Sequence, residues 1–142
     1  MSQQRMIDEL EIRNVIARLA MATDLGDLDE YASLFTGDAH LEMRAEPGKP
    51  QVVPPTKGRD AILAGGQKRR ADGMTGPGSH VAHTIQTSAV TVSGDAATAK
   101  TYVVIYKNTH TRPEPLSLKV YDDAFVRTSD GWKLASRYID PV

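Results

Sequence analysis

The chain predicts an α+β fold with helices first, an antiparallel meander afterwards and a pocket between the two layers. Two observations carry this. In the first third, apolar residues recur at helical spacing, with Ile12, Val15, Ile16 and Leu19 forming one stripe. In the second half the period changes to that of strands rich in β-branched and aromatic residues, punctuated by Gly94-Asp95 and Asp130-Gly131 as hairpin turns. The length of 142 residues suits one domain spanning residues 1–142, able to bury a core without staples.

Helix one is expected from about Ile7 to Thr23, with Arg13, Asn14 and Arg18 mostly off its apolar stripe. Gly26 breaks it. Asp27 is placed to cap a second helix, with Glu30 in capping-box position and Leu28, Tyr31, Leu34 and Phe35 as the apolar face. Gly37-Asp38 ends that helix, and Ala39 to Met43 is a short strand. A Pro-rich loop from Glu46 to Thr56 leads to a third helix over Arg59 to Arg70, weakened by Gly65-Gly66. After the Gly-rich loop Gly73 to Ser79, strands are expected over His80 to Val92, Ala96 to Asn108, Leu116 to Thr128 and Trp132 to Ile139. Pro113 and Pro115 read as turn residues, because proline cannot donate to a ladder.

Composition excludes several kinds of chemistry. There is no cysteine, so disulfides, thiolate nucleophiles and iron–sulfur clusters are ruled out. Seventeen basic residues against eighteen acidic ones argue against a nucleic-acid partner. No segment approaches the ~18 apolar residues of a membrane span, and the start of the chain lacks a signal-peptide core. No membrane partner and a cytoplasmic location are therefore expected. The glycines at 73, 76 and 78 make neither a phosphate loop nor a dinucleotide fingerprint, so no cofactor is expected. Proton transfer by carboxylate, imidazole and phenol, or plain binding, is what remains.

Asp24 sits at the edge of the helix-one stripe. It is either a partly buried carboxylate in need of a partner or a solvated helix-end residue beside Gly26 and Asp27. His83 opens a long strand and is either a proton acceptor or a strand-end histidine with a backbone bond. Paired, the two would leave one imidazole nitrogen basic and stabilise the imidazolium. Tyr31, on the apolar face of helix two, is a candidate donor to a substrate oxygen, as is Tyr121, although either can equally be an amphipathic core residue. Tyr121, Asp123 and Phe125 share one strand face, Leu118, Val120, Ala124 and Val126 the other, and alternation alone does not say which faces the pocket. Tyr102 and Tyr106 are expected to point outward, toward a partner subunit. His80 and His83 lie on opposite strand faces, and His40 and Glu42 share one without a third ligand, so no metal site is expected. Lys68-Arg69-Arg70 suits the negative end of its own helix.

Five stretches in this order resemble the SnoaL-like branch of the nuclear-transport-factor-2-like superfamily: Glu11 to Ile16; Asp24 to Asp29 with Leu34 to Ala39; Lys57 to Ile62; His83 with Val92 to Ala99; and Tyr121 to Asp123 with Asp130 to Leu134. The resemblance covers nearly the whole chain. It implies three helices on a strongly curved, mixed but mainly antiparallel sheet, an α+β cone with an apolar pocket. It also implies that Asp24 and His83 act as orienter and general base, as in scytalone dehydratase and the dehydrochlorinases. Tyr31, Phe35, Tyr121 and Asp123 would then bind a hydrophobic, polyketide or aromatic-type ligand, for a lyase, dehydratase or isomerase step, in a homodimer formed through the sheet. Ala20, Thr23 and Thr87 stand where relatives carry tyrosine, tyrosine and asparagine, so a non-catalytic binding or accessory protein of the same fold is the second reading.

Overall fold

A computed structural model describes residues 2–142. The chain runs through α1 (Gln3–Leu25), α2 (Leu28–Ser33), β1 (Phe35–Met43), β2 (Thr56–Lys57), α3 (Arg59–Ala71), β3 (Ala82–Ser93), β4 (Ala96–Lys107), β5 (Glu114–Thr128) and β6 (Gly131–Pro141). The strands form one sheet in the order β2-β1-β6-β5-β4-β3. Only β1 and β6 run parallel; the other neighbours are antiparallel. Three helices on a mixed, unclosed sheet are the α+β cone that the sequence implies.

Alternation decides the inner face. Along β4, Ala97, Ala99, Thr101 and Val103 are buried while Ala96, Thr98, Lys100 and Tyr102 are exposed. On β5, Tyr121, Asp123 and Phe125 are the buried set, which settles the parity that the sequence leaves open. Against this face pack Ile12, Val15, Ile16 and Leu19 of α1, with Tyr31, Phe35 and Ile62, to make a core completed by Trp132 and Leu134. The sheet bends because its ladders are interrupted. One unpaired residue stands at Gln86 in β3, at Leu116 in β5 and at Ala135 in β6, and each such bulge adds local twist.

Several local expectations change. Phe35 begins β1 rather than closing α2, and it is fully buried. Asp27 caps α2, but its carboxylate accepts from the Asp29 amide at 2.8 Å, an Asx-type bond rather than a capping box with Glu30. Pro115 is inside β5, opposite Tyr106. It is tolerated because β6 pairs with β5 only from Lys119 onward, so this end of β5 has a free edge. Arg70 does not serve its own helix. Its guanidinium donates to the carbonyls of Ala22, Thr23 and Gly26 at 3.1, 3.0 and 2.9 Å, closing the C-terminal end of α1. Gly76 leaves the room this needs: its φ is +89°, and a Cβ there would meet Arg70 Nε at 2.5 Å.

The other end of α1 is clasped by a buried carboxylate. Asp8 accepts from both Arg127 terminal nitrogens at 2.9 and 2.8 Å, from Trp132 Nε1 at 3.1 Å and from Gln4 at 3.0 Å. Arg127 also lies over the Trp132 ring, 4.6 Å from its centroid, and reaches Asp95 in the β3–β4 turn at 2.9 Å. These bonds, the Arg127 ones above all, hold the Asp8 carboxyl well below the usual carboxylate range. A depressed folded-state pKa means that the clasp's stability is complete above the ordinary value of 3.8 and drains away as pH falls below it. Asp8→Asn is expected to lower Tm by roughly 10 °C at pH 7. The gap between variant and wild type should narrow at pH 3, as followed by circular dichroism melts at both pH values.

Candidate active site

Asp24 is placed by the last turn of α1 and His83 by the second residue of β3. The helix crosses the strand so that the two meet. Asp24 is 8% exposed. Its Oδ1 is 2.7 Å from His83 Nδ1, and its Oδ2 accepts from the His83 backbone amide, also at 2.7 Å. Both oxygens are thus engaged by one residue, which fixes ring and backbone together. A carboxylate facing Nδ1 puts the proton on that nitrogen and leaves Nε2 with its lone pair. Among the described residues Nε2 has no hydrogen-bond partner. Beside the pair opens a cleft of about 230 Å³, lined by Asp24, Leu25, Gly76, His80, Val81 and Thr109 among others. His80 faces away from His83 and stacks on His110, with ring centroids 3.7 Å apart.

Tyr31 and Tyr121 do not line this cleft; both are buried on the core side of the sheet. Each is 7% exposed, and neither hydroxyl bonds to another described residue. Arg70 Nε is the only sealed side-chain polar atom left without a partner among the described residues. The two phenol oxygens therefore touch space that solvent can reach. Burial pushes both phenols above their ordinary pKa, against the pull of the Arg137 charge. They remain protonated donors at neutral pH.

Two sequence candidates stand behind this surface rather than on it. Phe35 is sealed in the core and meets the Tyr31 ring edge-on, with centroids 5.1 Å apart at 66°. Asp123 spends both oxygens on Arg137 Nε and Nη2, at 2.8 Å each. Arg137 is the residue that reading by alternation misses. Trp132 and Leu134 face inward, so an unbroken β6 would turn Ser136 in and Arg137 out. The bulge at Ala135 reverses this and sets Arg137 directly opposite Asp123. The guanidinium lies over the Tyr121 ring, 4.3 Å from its centroid. Burial alone favours the neutral base, but the charge and hydrogen bonds of Asp123 outweigh it and hold Arg137 charged. Thr101, also buried, bonds Ser88 across the β3–β4 ladder at 2.9 Å and stands opposite Tyr121 on the other side. No periodic signal marks it as more than a strand residue.

A buried pair of this kind is worth little against an apolar pair of the same shape, but removing one partner strands the other. Asp123→Ala is expected to cost about 3–5 kcal/mol. The double variant Asp123→Leu/Arg137→Met should recover most of that loss in urea denaturation.

With this geometry in view, the chain's likenesses are specific. Residues 4–138 match the SnoaL-like domain. An uncharacterized protein of Mycobacterium tuberculosis is 29% identical over 142 residues, covering 96% of this chain and 87% of its own. An NTF2-like protein with a cystatin-like fold from Novosphingobium aromaticivorans is 27% identical, covers 96% of this chain and 83% of its own, and superposes with a TM-score of 0.76. A candidate dehydratase of the NTF2-like family from Streptomyces avermitilis is 21% identical, covers 97% and 98%, and has a TM-score of 0.75. The last likeness is one of fold. No helix among the described residues is long and apolar enough to cross a membrane.

Proposed function

The chain belongs to the SnoaL-like domain family, and from that premise we propose that it moves a proton within a hydrophobic, aromatic or polyketide-type carbonyl compound, as a lyase of dehydratase type or an isomerase. The observation that carries this is the doubly bonded Asp24–His83 pair, whose imidazole keeps 17% of its side chain exposed and leaves Nε2 without a partner among the described residues. His83 Nε2 accepts a proton from a carbon next to the carbonyl. Asp24 keeps the other proton on Nδ1 and balances the imidazolium that forms. Tyr31 and Tyr121, protonated and without protein partners, donate to the substrate oxygen as negative charge gathers there. Arg137, behind the Tyr121 ring and anchored by Asp123, holds that ring in place. The imidazolium then returns its proton to a different carbon, which isomerises the substrate, or to a departing hydroxyl, which releases water.

The Streptomyces protein of this fold, named as a candidate dehydratase, supports the lyase form. The second reading, a binding or accessory protein with the same cleft, is favoured by Ala20, Thr23 and Thr87. Deuterium exchange separates the two. Incubated in D2O with a panel of hydroxylated aryl and cyclic ketones, the wild type is expected to label the carbon next to the carbonyl. His83→Ala should slow labelling by ~10²–10⁴-fold, and Asp24→Asn should slow it while leaving the fold intact. Calorimetric binding of a panel ketone with no labelling would favour the binding protein. Labelling unchanged in His83→Ala would end the catalytic role of that residue.

We also propose a homodimer through the outer face of the sheet. There Tyr102 and Leu118 are 46% and 47% exposed, and Tyr102 stands opposite Val120 and Val104 opposite Leu118 across the β4–β5 ladder. Leu118→Glu is expected to halve the mass of that unit in sedimentation equilibrium without lowering Tm.

A further inference from the structure

α1 is apolar on two sides. Its inner stripe packs on the sheet, but Ile7, Leu10, Asn14, Ala17 and Met21 follow one another at alternating spacings of three and four on the opposite side. That spacing draws a single line along a helix. Leu10 is 65% exposed and Met21 is 62% exposed. A surface helix ordinarily turns charge toward water along this line. Here the charges are displaced to the flank, with Glu11 and Arg18 seven residues apart on one side of it.

We propose that this line is the seat of a second copy of α1, packed antiparallel about a two-fold axis passing between residues 15 and 16. Three features converge on that occupant. In this register Leu10 meets the partner's Met21, so the two most exposed apolar residues of the line cover each other, and symmetry repeats the contact. Asn14 meets the partner's Ala17, a small side chain that lets the axes approach at the middle. Glu11 comes beside the partner's Arg18, also twice. An antiparallel pair presents the same flank of each copy to the other, so the two opposite charges of that flank meet. The contact lies on the helical side of the molecule and the sheet contact on the other. The two are compatible, and together they assemble four copies. The helix contact does not depend on the catalytic reading.

Sedimentation equilibrium of the full chain, over roughly 1–100 μM to span the affinities of small interfaces, tests it. Leu10→Glu/Met21→Glu is expected to halve the mass found for the wild type, with an unchanged circular dichroism spectrum. In the Leu118→Glu background, which isolates the helix contact, Glu11→Arg should weaken association roughly tenfold, since each exposed pair is worth little and two are reversed at once. Glu11→Arg/Arg18→Glu should restore it, a rescue that a nonspecific apolar contact would not show. A wild-type mass equal to that of Leu10→Glu/Met21→Glu at every concentration overturns the proposal, as does a charge swap that fails to restore association. Pelleting of the wild type with phosphatidylserine vesicles in the absence of self-association would assign the line to a lipid surface and overturn it as well.

Discussion

The last turn of α1 is the joint on which the site depends. Helix ends carry carbonyls with spare accepting capacity, and here those of Ala22, Thr23 and Gly26 all accept from one guanidinium of another helix. Arg70 therefore sets where α1 stops and how its final residues are presented to β3. Asp24 lies inside that clamped segment, and its carboxylate does the corresponding work toward the sheet by holding both the ring and the amide of His83. Cation, helix end, carboxylate and imidazole form a series in which each member restrains the next. An imidazole held at ring and backbone has lost most of its freedom before any ligand arrives.

The interior around this joint is unusually charged for a small core. Asp8, Asp24, Asp123 and Arg137 are all buried. Each is matched by named partners: Asp8 by Arg127 and Trp132, Asp24 by His83, and Asp123 and Arg137 by each other. Asp8 and Arg127 have the bearing of a fastener, because they tie the start of α1 to two hairpin turns far from the cleft. Asp123 and Arg137 stand directly behind Tyr121, where an apolar pair would fill the same space without the desolvation penalty. Their position under the Tyr121 ring steadies that ring as well as the core.

Much of this was legible in the chain. The period change located helices and strands, and the Gly94 and Asp130 turns located two hairpins. Asp24 and His83 stood out because a carboxylate beside an apolar stripe and a histidine at a strand start both need partners. What stayed illegible has a common physical origin in interrupted ladders and long-range contacts. Alternation points Arg137 outward until the bulge is known. Phe35 has the apolar spacing of α2 but the extended backbone of β1. Arg70 sits in a basic run whose local reading, a helix favouring cations at its own end, is adequate until a neighbouring helix end is seen beside it.

The unpaired Ala135 separates two properties that usually travel together. A strand shortened by that residue would still turn Leu134 and Arg137 to the same side, because the bulge holds them in phase on the inner face. What such a chain would lose is the bend. The shape of the concavity and the chemistry of its lining are therefore written in different currencies, the one in strand length and the other in residue identity. A lineage can reshape the cavity by gaining or losing single residues at these interruptions while leaving every interior side chain as it was.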